Sequence, residues 1–105
     1  MAKYRLENIK FYIDEYIDLD TGKFDQEYWL ASDTPAGDME GLLSPLKWKI
    51  TKIEDKIKKD PFILLTIEGT KKDINAFLYD TSNGEDSLRN LKNLERQGMK
   101  IYKIL

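Results

Sequence analysis

Along residues 9–19 apolar and polar positions alternate almost strictly. Ile9, Phe11, Ile13, Ile17 and Leu19 fall on one side, and Lys10, Tyr12, Asp14, Tyr16 and Asp18 on the other, with only Glu15 breaking the order. Successive side chains of a strand point to opposite faces of a sheet, so this period predicts a half-buried β-strand. Residues 20–23 read Asp-Thr-Gly-Lys, turn chemistry in which Gly22 can take positive φ, and a second alternating run follows over residues 24–31. The two runs together predict a β-hairpin. Residues 32–45 carry Pro35, Gly37, Gly41 and Pro45, which predicts a long loop with one helical turn near residues 39–43.

In residues 46–57 the apolar positions Trp48, Ile50, Ile53 and Ile57 change face midway, predicting a bulged or strongly coiled strand. A turn at Lys58-Lys59-Asp60-Pro61 leads into residues 62–68, where Ile63, Leu64, Leu65 and Ile67 predict the most central strand. After a turn at residues 69–72, Ile74, Ala76 and Leu78 alternate with Asn75, Phe77 and Tyr79, predicting another strand. Ser82 and Glu85 have the spacing of a capping box for the one long helix, in which Leu88, Leu91 and Leu94 form a stripe and Gly98 ends the run. Residues 99–105 alternate again and predict a last strand. The expected organisation is one domain over residues 1–105: an acidic hairpin at 1–31, a loop at 32–45, and a strand-rich part at 46–105.

A chain of 105 residues can bury one core and not two. It holds neither cysteine nor histidine. That removes thiolate nucleophiles, disulfides, the commonest general base at neutral pH and the commonest transition-metal ligands. The expectation is therefore a protein that binds rather than catalyses, without cofactor or metal. No apolar run reaches the ~18 residues of a membrane span, and no basic-then-apolar leader opens the chain, so a cytoplasmic protein with no membrane contact is expected. The net charge of −2 conceals an asymmetry about Pro45. Residues 1–45 hold four Lys and Arg against ten Asp and Glu, and residues 46–105 hold thirteen against nine. Either the domain has an acidic face and a basic face, or solvated strands alternate in charge.

Asp18, Asp20, Gly22 and Asp25 cluster at the first turn, but a calcium loop starting at Asp18 would need glycine where Lys23 stands and a carboxylate where Trp29 stands. A solvated turn fits better. Asp33, Asp38 and Glu40 lie in the expected loop and make poor magnesium ligands, which need rigid supports. Neither phosphate-binding glycine motif occurs. More informative are Phe77 and Tyr79, opposite the apolar set of their predicted strand, with Lys47, Lys49, Lys71 and Lys72 on neighbouring strands or turns. Rings interleaved with lysines suit single-stranded nucleic acid, whose bases stack while its phosphates meet cations. A sheet covered on both faces would instead place Phe77 and Tyr79 in the core. Tyr12, Tyr16 and Trp29 share the predicted outer face of the hairpin with Asp14, Asp18, Asp25 and Glu27. An acidic surface with aromatic anchors suits a protein partner.

The order strand, strand, strand, helix, strand over residues 46–105 resembles most of an OB-fold. The matching segments are Trp48-Lys49-Ile50-Thr51-Lys52-Ile53, Phe62-Ile63-Leu64-Leu65-Thr66-Ile67-Glu68, Ile74-Asn75-Ala76-Phe77-Leu78-Tyr79 and Gln97-Gly98-Met99-Lys100-Ile101. In this respect the chain is similar to the small OB-type proteins with which phages and mobile elements replicate DNA, as single-strand binders or as accessory partners of a polymerase. The departures are one strand after the helix where an OB barrel has two, and the added acidic hairpin. The resemblance implies an α+β, mostly β fold: a small, partly open barrel or sandwich of about five to six antiparallel strands with one helix before the last. It implies a non-enzymatic replication accessory protein that binds a larger enzyme such as a DNA polymerase, with single-stranded DNA as a second partner. Trp48, Phe77 and Tyr79 would stack on bases, and Lys47, Lys49, Lys71 and Lys72 would meet phosphates. Tyr12, Asp14, Tyr16, Asp18, Glu27 and Trp29 would dock on the enzyme. The alternatives are a phage-encoded acidic inhibitor that mimics DNA, and a structural component of a virion or secretion machine.

Overall fold

The computed structural model describes residues 2–34, 37–56, 60–81, 95–96 and 98–105. Strand β1 (Lys3–Tyr12) is followed by a 3-10 turn at Asp14–Tyr16, helix α1 (Gln26–Leu30), the two-residue strands β2 (Asp33–Thr34) and β3 (Gly37–Asp38), and helix α2 (Met39–Leu43). Strand β4 (Lys47–Glu54), strand β5 (Phe62–Thr70), helix α3 (Lys71–Thr81) and strand β6 (Lys100–Lys103) complete the described elements. Strands β4, β5, β1 and β6 pair in that order into one antiparallel sheet, while β2 and β3 pair only with each other. The fold is thus α+β and mostly strand, a partly open sheet and not a closed barrel, in the class expected from the sequence. Between β1 and β4 the chain crosses over β5 through α1 and α2, the connectivity of a split β-α-β unit. Among the described residues no helix is long and apolar enough to cross a membrane.

One face of the sheet carries the core. Leu6, Ile9, Ile63, Leu65 and Ile67 from the two inner strands are buried with Trp29 of α1, Leu43 of α2, and Ile74, Phe77 and Leu78 of α3. Phe11 ties the sheet to α1 and α3, its ring edge-on to Trp29 at 6.1 Å and to Phe77 at 6.0 Å. Each such aliphatic or aromatic side chain contributes about 1.5–3 kcal/mol on leaving water, which is what holds three short helices on the sheet.

Two expected strands are helices. Residues 24–31 form no second arm of a hairpin; the single bridge Ile17↔Phe24 is its only ladder contact. Asp25 accepts the Tyr28 N–H at 3.1 Å and caps α1, which turns Trp29 into the core. The strand expected over residues 74–79, and part of the turn expected before it, lie within α3. Thr70 Oγ1 accepts the Asp73 N–H at 3.2 Å and donates to Asp73 Oδ2 at 3.0 Å, an N-terminal cap that satisfies a helix-end donor. Ile74, Phe77 and Leu78 then fall on one helical face, the spacing that outcompetes the period-two reading. The helical turn at residues 39–43 is α2, capped by Asp38, whose Oδ1 accepts the Gly41 N–H at 2.8 Å. The capping box at Ser82 and Glu85 and the stripe of Leu88, Leu91 and Leu94 lie outside the described residues.

Two bulges flank β5. In β1, Glu7 and Asn8 together oppose Thr66, and Asn8 takes a left-handed φ of 63°. In β4, where the sequence predicts a bulge, Thr51 is the extra residue between Ile50 and Lys52, and its hydroxyl donates to the Leu64 carbonyl at 3.2 Å. Each bulge returns the next apolar residue to the helix-bearing side of the sheet, Ile9, which is buried, and Ile53, which stays 44 % exposed, and bends its strand.

Candidate nucleic-acid interface

Because α1, α2 and α3 pack on one face, the alternate residues of every strand point away from them. Cross-strand register assigns Lys3, Arg5, Lys10 and Tyr12 of β1, Lys47, Lys49 and Lys52 of β4, Phe62, Leu64, Thr66 and Glu68 of β5, and Lys100 and Tyr102 of β6 to this second face. Among the described residues, seven cations there stand against three carboxylates, Glu7, Glu54 and Glu68. None of the described helices covers them. The cations come from both halves of the chain, so the charge boundary at Pro45 is not a boundary in space. The acids instead concentrate in the crossover: residues 13–46 hold nine Asp and Glu and a single cation, Lys23.

Three rings sit among the cations. The Arg5 guanidinium carbon lies 5.1 Å from the Tyr102 ring centroid. Lys10 Nζ lies 4.5 Å from the Phe62 centroid and 5.1 Å from that of Tyr12, and Lys52 Nζ lies 5.5 Å from Phe62. Tyr12 is 60 % exposed and Tyr102 39 %. Tyr102 is paired with Arg5, and Phe62 with Tyr12 near the far end of β1. At about 3.3 Å per residue the two ring stations are about 20 Å apart along the sheet.

Two adjoining hollows lie on this face. One hollow, of about 420 Å³, is lined by Arg5, Lys47, Trp48, Lys49, Thr66 and Glu68. A second, of about 220 Å³, is lined by Arg5, Glu7, Asn8, Lys49, Thr51 and Thr66. The two share Arg5, Lys49 and Thr66, and the bulge residues Glu7, Asn8 and Thr51 line the smaller one. Thr66, 7 % exposed, is the one buried polar residue among those described. On the rim, Arg5 Nε pairs with Glu7 Oε1 at 3.0 Å, and Lys47 Nζ approaches Glu68 Oε2 at 3.9 Å.

Of the expected nucleic-acid set, Lys47 and Lys49 lie on this face. Trp48 faces the other way, its ring edge-on to Trp29 at 6.3 Å. Phe77 has no exposed surface, so it cannot stack on a base; the core reading of this residue holds. Tyr79 is 49 % exposed but belongs to α3, on the covered side of the sheet. Lys71 and Lys72 are exposed in the first turn of α3, past the end of β5. Of the expected docking set, Tyr12, Asp14 and Tyr16 meet around a separate groove of about 340 Å³ that Trp29 also lines. Trp29 itself is 2 % exposed and is a core residue rather than an anchor. Asp18 is exposed and closes its own turn, Oδ1 accepting the Asp20 N–H at 2.8 Å and the Thr21 N–H at 3.3 Å. Glu27 is exposed on α1. The sequence reading did not single out Arg5, Lys10, Lys52, Phe62 and Tyr102, although Lys3 and Arg5 already alternate with Tyr4 and Leu6.

Among the described residues no group of three or more acidic side chains is placed to hold a metal ion. Comparison with protein-family models, curated proteins and solved structures gives no match.

Proposed function

We propose that this chain is a non-enzymatic protein that binds single-stranded nucleic acid across the open face of its sheet. One observation supports the reading above all: seven cations and the rings of Tyr12, Phe62 and Tyr102 share that face, and each ring has a cation over it. Rings on an open face, Tyr12 and Tyr102 exposed and Phe62 half-buried, give unpaired bases a stacking partner, and the lysines meet the phosphates between them. A duplex keeps its bases stacked internally and gains little from the rings, so the single strand is the preferred form.

The setting we propose is DNA replication in a phage or mobile element, in the cytoplasm, beside a larger enzyme such as a polymerase. The acidic crossover, with Asp14 and Tyr16 at its groove, is the side offered to a basic surface of that enzyme. An acidic DNA mimic would present carboxylates and shed cations, and seven cations on one face argue against that alternative.

The test is fluorescence anisotropy with a labelled oligothymidylate, its uridine counterpart and a duplex, titrated across a range of salt. The single strand should bind best and weaken steeply as salt rises. Lys49→Ala should flatten the slope of log K against log salt by about 0.7, the value for one lost contact on a single strand. Undetectable or salt-independent binding would overturn the proposal, and preference for the uridine strand would move it from DNA to RNA.

A further inference from the structure

We infer that the central groove of the open face reads guanine, with the Glu68 carboxylate as the specificity-determining group. This rests on the strand-binding reading above and names the base the groove selects.

Glu68 points outward from β5 with Arg5 of β1 and Lys47 of β4 as its cross-strand neighbours. A face that only gripped phosphates would gain nothing from an anion at this place, since it repels them. Nor are the neighbours well engaged in neutralising it. Arg5 turns its Nε to Glu7 at 3.0 Å instead. Lys47 Nζ stands at 3.9 Å from Glu68 Oε2, the outer limit of an ion pair, on a side chain that is 87 % exposed. The Glu68 side chain is only 26 % exposed. A half-buried carboxylate with one distant cation keeps most of its acceptor capacity, and it lines the 420 Å³ hollow.

The hollow's other polar groups can all donate: the Thr66 hydroxyl on the floor, and Lys47 and Lys49 on the wall. A pair of acceptor oxygens beside donors is complementary to one base edge. In a single strand the Watson–Crick edges are free to be read. Guanine alone presents two adjacent donors there, N1–H and the 2-amino group, next to an acceptor, O6. The carboxylate accepts both donors while Thr66 or Lys49 donates to O6. Adenine and cytosine would turn a ring-nitrogen lone pair toward the carboxylate, and thymine offers one donor between two acceptors. Tyr102 and the Arg5 guanidinium at the rim supply flat surfaces for the neighbouring base.

The experiment measures binding of oligothymidylates that carry one central guanine, hypoxanthine, adenine or cytosine. Hypoxanthine is the sharpest probe, because it differs from guanine only in lacking the 2-amino donor. The wild type should prefer guanine to hypoxanthine about tenfold, the scale of one lost hydrogen bond to a charged acceptor. Glu68→Gln, checked for folding by circular dichroism, should reduce that ratio to near one. It should also bind plain oligothymidylate at least as tightly as the wild type, since a negative charge has left the face. A wild type that binds plain strands but does not separate guanine from hypoxanthine overturns the inference and leaves the strand-binding reading standing. So does a Glu68→Gln protein that keeps the preference, or one that weakens equally on every strand. Failure to bind any strand overturns the reading underneath.

Discussion

Arg5 on β1 and Tyr102 on β6 face each other across the edge of the sheet, the guanidinium carbon 5.1 Å from the ring centroid. This cation–ring pair is thus built from strands far apart in the chain. Replacing Tyr102 by alanine removes the ring without disturbing the backbone ladder, so single-strand affinity should fall by roughly 1–3 kcal/mol. Phe62→Ala should do the same at the other station, where Lys10 and Lys52 remain to hold phosphate. Anisotropy measures both, and wild-type affinity in both variants would remove the rings from the account.

Phe77 and Tyr79 are two residues apart on α3, yet one is wholly buried and the other half exposed. Phe77→Ala takes a ring from the contact with Phe11 and should destabilise the fold by about 3–5 kcal/mol. Tyr79→Ala should change stability by less than about 0.5 kcal/mol and leave nucleic-acid binding intact. Urea denaturation of the two variants checks the pair, and a destabilised Tyr79→Ala would contradict the placement of α3.

The same two residues show what local pattern can and cannot tell. Ile74, Ala76 and Leu78 satisfy a period of two, while Ile74, Phe77 and Leu78 satisfy a helix, and a window this short cannot separate them. The discriminating signal was the cap, Thr70 followed three residues later by Asp73. In the same way Asp25 before α1 outweighs the alternation of residues 24–31. The inner strand β5 was legible because its dense run of apolar and β-branched residues has few other solutions, and the bulged β4 because its alternation changes face midway. Half of the candidate site was not. Asn8 inserts an extra residue between Leu6 and Ile9, which hides the continuity of β1 and with it Lys3 and Arg5. The pairing of Tyr102 with Arg5 is long-range and leaves no local trace.

Asn8 carries that bulge at φ 63°, a conformation open to glycine and asparagine but costly for branched side chains. Asn8→Gly should therefore stay close to wild-type stability, whereas Asn8→Val should lose about 1–3 kcal/mol. The bulge also shapes the smaller hollow, so Asn8→Val should weaken strand binding even where it remains folded. Thermal unfolding and anisotropy on the two variants provide the check; equal stability of both would mean that the bulge is not fixed by this residue.

The central claim is that the strand lies on the sheet face opposite the helices, and amide chemical-shift mapping by NMR tests it most directly. On titration with oligothymidylate the largest shifts should fall on Arg5, Lys10, Lys49, Phe62, Thr66 and Tyr102, with α1 and α3 nearly silent. Shifts centred on α3 around Tyr79, or on the acidic crossover, would contradict it.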